Sequence, residues 1–198
     1  MPTLAGGADL DGDGIDDLAA AFHQNQLGPS PGSVSLIPGR DVWPTELFLE
    51  DAPTILSRSS DQRFGVSAAL IDDMNGDGRA ELLLGAPGHN GPQDGRVYLV
   101  FGADFGPGDF VEDLVEQGRA LRFLDYAPQS NLGYNVDAPG DVNGDSVPDL
   151  AMSANFSGVE YSGESYLFFG GADLAARAGG EPIRLADEDA RLIRATGD

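Results

Sequence analysis

The stretch "FGVSAALIDDMNGDGRAELLLGAPG", Phe64 to Gly88, sets two apolar runs on either side of a loop crowded with side-chain oxygens. Phe64–Ile71 and Ala80–Pro87 each read as a short strand bounded by glycine, proline, asparagine and aspartate. Between them, "DMNGDGRAE" places Asp73, Asn75, Asp77 and Glu81 at positions 1, 3, 5 and 9 of a nine-residue span. Carboxylates this close repel each other unless water screens them or a cation gathers them. The choice separates a solvated turn from a built site.

The arrangement occurs three times. "DLDGDGIDDLAAAF" starts at Asp9, "DMNGDGRAELLLGA" at Asp73 and "DVNGDSVPDLAMSA" at Asp141, with offsets of 64 and 68 residues. A second landmark follows each time: "GSVSLIPG" from Gly32, "GRVYLVFG" from Gly95 and "GESYLFFG" from Gly163. A third, "RFGVSAAL" from Arg63, answers to "NLGYNVDA" from Asn131. Periodic self-similarity of this length marks repeat architectures.

Each unit reads as four strands. In the middle one these are Phe64–Ile71, Ala80–Pro87, Arg96–Gly102 and Ala120–Tyr126, with Phe110–Gly118 as one or two helical turns before the last. Thr54–Ser59 and Ala190–Thr196 are the fourth-strand counterparts in the outer units. Four antiparallel strands per unit predict an all-β fold of β-propeller blades rather than solenoid coils. Blade one is expected over residues 1–62, blade two over 63–130 and blade three over 131–198. Propellers take about four to eight blades to close. An incomplete ring is therefore expected, with apolar surface on the outer faces of blades one and three. Further blades of a parent chain, or a second copy, would cover them.

Composition narrows the function. Hydrophobic residues make up 41% of the 198, enough for a core despite a net charge of −22. All 11 basic residues are arginine, and the acidic excess opposes binding to nucleic acid or anionic lipid. Cysteine is absent, which removes disulfides and thiolate chemistry. No apolar run reaches the length of a membrane span. "MPTLAGGADL" lacks the basic and apolar regions of a signal peptide, so Met1 reads as the start of an excised piece.

The loops share the spacing D-x-[DN]-x-D-[GS]-x-x-[DE]. Calcium takes about six to eight oxygens, and side chains at positions 1, 3 and 5 converge on it if the loop curls. Position 7 then offers a backbone carbonyl and position 9 a closing carboxylate. The candidate ligands are Asp9, Asp11, Asp13, the Ile15 carbonyl and Asp17 in loop one. They are Asp73, Asn75, Asp77, the Arg79 carbonyl and Glu81 in loop two. Loop three offers Asp141, Asn143, Asp145, the Val147 carbonyl and Asp149. Three Ca²⁺ sites with a structural role follow. Loop three carries Ser146 where the others carry Gly14 and Gly78, and Pro148 before its last ligand, so its geometry is expected to differ.

An EF-hand is excluded, because position 12 is Ala20, Leu84 or Met152 inside an apolar strand. Magnesium favours smaller, more hydrated sites, and zinc or copper would want histidine or cysteine.

The order FG, DxNxDGxxE, GAP and GxVYLFFG resembles the FG-GAP repeat, which builds the propeller of integrin α subunits. Phe64–Gly88 with "GRVYLVFG" is a close match. The first repeat lacks the FG and reads "AAFH" for GAP; the third has Leu132-Gly133 and "SAN". The resemblance covers essentially the whole chain. It implies calcium loops joining the first and second strands on one rim, and no ligand-binding residues transfer with it.

Catalysis has little to stand on. "GPSPG" around Ser30 matches a nucleophile pattern only formally, since prolines flank it in a hairpin loop. His23 and His89 read as loop polar residues, Asp16 and Asp72 as solvated neighbours of the ligands. Asn155-Phe156-Ser157 is a glycosylation sequon that matters only in a secretory host. Trp43 reads as packing on its own blade, with sugar stacking as the alternative; Tyr98 and Tyr166 recur but lie within strands. The expected function is a non-enzymatic, calcium-stabilised, integrin-α-like module for extracellular interaction or adhesion, exported to the medium or cell surface. A glycan-binding propeller and a non-catalytic accessory region of a larger secreted hydrolase are the alternatives. The partner is an unknown protein or glycan.

Overall fold

The structure is a computed structural model and describes residues 2–23, 32–58, 63–88, 95–125, 130–157, 162–171, 173–185 and 192–196. Its first elements are β1 Thr3–Ala8, β2 Asp17–Phe22, β3 Ser33–Ile37 and β4 Thr54–Leu56. Then come β5 Ser67–Ile71, β6 Glu81–Ala86, β7 Arg96–Val100, β8 Pro107–Phe110, helix α1 Val111–Glu116 and β9 Ala120–Leu124. The last are β10 Leu132–Gly140, β11 Asp149–Ala154, β12 Glu164–Phe168, β13 Ile183–Arg184 and β14 Leu192–Thr196. The helical turn expected before the fourth strand of the middle unit is α1.

Three sheets result, each an antiparallel meander of four strands: β1-β2-β3-β4, β5-β6-β7-β9 and β10-β11-β12-β14. These are β-propeller blades, one per repeat. Two blades gain a fifth strand that the sequence reading did not contain. β8, from the connection between third and fourth strands of blade two, runs parallel to β4 of blade one. β13, from the same connection of blade three, runs parallel to β9 of blade two. The connection thus reaches back and pairs the exposed edge of the preceding blade, which removes a template for aggregation.

Blade two is covered on both faces, so β6 is buried at every position and its sequence shows no alternation. Strand pleating sends alternate residues into two different seams. Leu82, Leu84, Tyr98 and Val100 meet Ala19, Ala21, Val34, Leu36 and Ile55 of blade one. Leu83, Val97, Leu99 and Phe123 meet Leu150, Met152, Tyr166 and Phe168 of blade three. Phe64 meets Tyr98 edge-to-face in the first seam, and Phe123 meets Phe168 in the second. Burying each of these large side chains stabilises by about 1.5–3 kcal/mol.

Backbone also meets backbone across the second seam. Ser67 Oγ donates to the Gly133 carbonyl at 2.9 Å. Gly133 has φ +92°, and a Cβ there would strike the Arg96 carbonyl and lie 3.0 Å from the Ala86 nitrogen. Within blade two, the Gly65 N–H donates to the Gly85 carbonyl at 2.9 Å. The glycines of the FG-like and GAP motifs are therefore fixed by close approach of main chains.

The outer blades expose some apolar side chains. Blade one exposes Leu4 and Leu18, as expected. The outward face of blade three carries Ala151, Ser153, Ser165 and Leu167, which pair side by side in the β11–β12 ladder. Three of these four side chains are small, and Tyr134, Val142 and Phe156 elsewhere in blade three are exposed. No helix among the described residues is long and apolar enough to cross a membrane.

Candidate metal centres

All three acidic loops join the first strand of a blade to its second, on the same rim. Their hydrogen bonding is nearly identical. The position 1 carboxylate accepts the backbone N–H groups of positions 4, 5 and 6. In loop one these are Gly12 at 2.7 Å, Asp13 at 3.2 Å and Gly14 at 2.7 Å onto Asp9. Gly76, Asp77 and Gly78 do the same for Asp73, and Gly144, Asp145 and Ser146 for Asp141. The position 3 oxygen takes the N–H of position 5, as Asp11 takes Asp13, Asn75 takes Asp77 and Asn143 takes Asp145. The position 5 carboxylate takes the N–H of position 7: Ile15, Arg79 and Val147, at 2.8, 2.9 and 2.9 Å. The loop is curled so that positions 1, 3 and 5 turn inward.

Position 9 is the buried end. Asp17, Glu81 and Asp149 are 4%, 0% and 0% exposed. Each accepts the N–H of position 2, from Leu10, Met74 and Val142. Asp17 and Asp149 also accept the N–H of the glycine two residues past the third strand, Gly39 at 2.7 Å and Gly170 at 3.0 Å. The sequence reading gave position 9 only a ligand's part; it also ties the loop to the blade.

Carboxylate oxygens of Asp9, Asp11 and Asp17 lie within 4.8 Å of one another, as do those of Asp73, Asp77 and Glu81. Among the described residues no third group of three acids gathers in this way. Burial pushes Glu81 up to about 8, with the charges of Asp77 and Asp73 acting the same way. Burial likewise raises Asp11, aided by Asp17, Asp13 and Asp9. Both shifts have burial as their first cause and neighbouring carboxylates as a second, and a bound cation opposes both. An all-oxygen donor set fits a hard divalent ion.

The feature missed in sequence is position 4. Gly12, Gly76 and Gly144 all have φ near +80°, and the signal was present, since all three loops carry glycine there. Position 6 is left-handed too, and Ser146 adopts φ +70° where Gly14 and Gly78 have +89° and +87°. A left-handed residue other than glycine costs about 1–2 kcal/mol, offset in part by glycine's freer unfolded chain. Ser146→Gly is expected to stabilise the fold by up to about 1 kcal/mol. Urea denaturation checks it; destabilisation would show that the Ser146 side chain makes a contact of its own.

Adjacent loops touch. The Ala80 N–H, at position 8 of loop two, donates to the Asp9 carbonyl of loop one at 2.7 Å. The Arg79 side chain crosses Gly12 and reaches Asp104 at 3.4 Å. Loop three has Pro148 at the corresponding position and lacks that N–H.

The remaining candidates are structural. Tyr98 and Tyr166 are 0% and 2% exposed, which removes them as sugar platforms. Tyr166 joins Glu164, Asp125 and Ser157 in a buried network. Ser157 of the sequon is buried and donates to Glu164 at 2.6 Å. Trp43 is half exposed, with the Arg40 guanidinium 5.2 Å over its ring. Asp16 and Asp72 are exposed. Burial lowers the pKa of His23. Ser30 and His89 lie outside the described residues.

Four-stranded blades in tandem, each with an acidic loop between its first and second strands, define an integrin-α-like β-propeller repeat protein. The family model described as FG-GAP repeat matches residues 64–100 and 132–168, so blades two and three each carry an FG-GAP repeat. It is similar to integrin alpha-PS2 of Drosophila melanogaster, 28% identical across 94% of this chain and 14% of that protein. Integrin alpha pat-2 of Caenorhabditis briggsae is 29% identical across 76% of this chain and 13% of its own length. Human phosphatidylinositol-glycan-specific phospholipase D is 40% identical across 50% of this chain and 12% of its own. The chain thus spans a small part of the curated relatives it matches.

Proposed function

We propose that this chain is a calcium-binding, integrin-α-like propeller module for extracellular protein–protein interaction or cell adhesion, with no catalysis of its own. The observation that carries it is the loop geometry: three copies of one curled, nine-residue turn, two of which gather three carboxylates within 4.8 Å. The proposed ligands are the side chains of positions 1, 3, 5 and 9 and the carbonyls of Ile15, Arg79 and Val147. The ion's role is to neutralise the cluster and fix the rim, leaving the blades' other surfaces to partners. The proposed blade limits are 1–62, 63–130 and 131–198, and the proposed location is the cell surface or medium, where calcium is abundant enough for sites of about 10⁻⁴–10⁻³ M.

A second reading has specific support. The 40% identity to half of this chain comes from the human phospholipase D, so an accessory region of a larger secreted hydrolase also fits. In either setting these blades serve as a calcium-fixed scaffold. Calorimetric titration of chelator-treated protein with calcium chloride is expected to give three ions per chain, loop three the weakest. No heat above dilution would sink the metal assignment.

A further inference from the structure

A pocket of about 160 Å³ opens on the rim of the acidic loops, between blade one and the connection that follows β7. Leu10, Leu36, Ile37, Pro53 and Phe105 give it an apolar wall. Its polar wall is carboxylate: Asp11 and Asp17 of loop one, and Asp104. Among the described residues no basic side chain lines it. Both walls belong to blades of this chain, so the pocket is not part of an open outer face.

The chain builds the pocket as an arch. Gly102 starts the connection pressed against loop one: a Cβ there would lie 2.7 Å from the Leu10 carbonyl and strike that of Ala80. The Gly106 carbonyl ends the arch, accepting the Thr54 N–H at 3.2 Å. Ala103, Asp104 and Phe105 span the gap between these fixed points. The Arg119 guanidinium, 5.3 Å over the Phe105 ring, braces the span by donating to the Asp104 carbonyl at 3.4 Å. The second seam is filled at this level. There Met74 stands in the place of Leu10, and the connection after Gly170 turns at once and buries Leu174. Met74 and Leu174 share one core cluster. In the first seam Leu10 is shorter than methionine and Phe105 is only half-buried, which leaves the space open.

We propose that this pocket binds a small organic cation, an ammonium or amidinium group on a ring-sized apolar body. A cavity of about 150 Å³ with apolar walls takes up benzene, so a ring fits between Leu36, Pro53 and Phe105. The cationic head then faces Asp11 and Asp104. Calcium in loop one, as proposed above, does not use up the negative charge. This loop brings four carboxylates, Asp9, Asp11, Asp13 and Asp17, where loops two and three bring three each. Asp104 adds a fifth, which the Arg79 guanidinium reaches at 3.4 Å. Five carboxylates against one divalent ion and one guanidinium leave two negative charges beside the pocket.

The test titrates the whole chain with benzylamine, in calcium and in EDTA, and follows the amide chemical shifts of Leu36, Asp104 and Phe105. Saturable binding is expected in both buffers, with a dissociation constant of about 1 mM. A failure of the metal reading would therefore leave this result standing. Benzyl alcohol, the neutral isostere, should bind about tenfold more weakly, and benzoate not at all. Asp104→Lys should weaken the amine by about tenfold. Glu181→Lys, exposed on the connection of blade three, should change nothing. Binding seen only in EDTA overturns the proposal, since the amine would then be standing in for the ion. Equal binding of amine and alcohol, equal losses in the two lysine variants, or no saturable shift up to about fiftyfold the expected constant overturns it as well.

Discussion

Chelation of divalent ions is expected to lower the melting temperature by roughly 8–16 °C. A site held at about tenfold its dissociation constant contributes about 1.4 kcal/mol, so three give about 4 kcal/mol. At this chain length each kcal/mol moves the transition by roughly 2–4 °C. The physical origin lies in the clusters of Asp9, Asp11 and Asp17 and of Asp73, Asp77 and Glu81, whose oxygens crowd within 4.8 Å. Without an ion these groups repel or take up protons. Scanning calorimetry in calcium and in EDTA makes the comparison, with calcium added back to show reversal. An unchanged transition would mean that the backbone N–H groups alone hold the loops, and the structural role of the metal would be wrong.

Gly133→Ala is expected to cost about 2–5 kcal/mol, a large share of a typical domain's stability. Left-handed strain accounts for about 1–2 kcal/mol, and overpacking against the Arg96 carbonyl and the blade-two backbone for about 1–3 kcal/mol. The main chain cannot move away cheaply, because Ser67 Oγ holds the Gly133 carbonyl at 2.9 Å. Gly106→Ala is the control: its Cβ would meet nothing within 4 Å, and it should change stability little. Urea unfolding of both variants reads the difference. Equal costs would show that the second seam is soft and that the FG-like glycine is not fixed by close approach.

The blades and loops were legible in the sequence because their information is local. Strand runs such as Glu81–Ala86 and the spacing of Asp73, Asn75, Asp77 and Glu81 need only near neighbours to be recognised. Ser146 announced its left-handed conformation by standing where Gly14 and Gly78 stand. What escaped depends on distant parts of the chain. β8 is "PGDF", with neither alternation nor β-branched residues, and becomes a strand only because β4 offers an open edge. The second role of Asp17 and Asp149 needs Gly39 and Gly170, residues 22 and 21 positions away.

The returning strands bear on how this protein is made and cut. A repeat boundary drawn at residue 62 separates β4 from β8, so a fragment ending there keeps all four meander strands and loses the one that shields its edge. Single repeats expressed alone would then be poor proxies for their behaviour in the chain. During synthesis from the N-terminus, the first blade stays unshielded until residues 107–113 have emerged, and the second until Ile183 and Arg184 have. Blades one and two are each finished by their successor, and the units that ripen together on the ribosome are offset from the units that repeat in the gene.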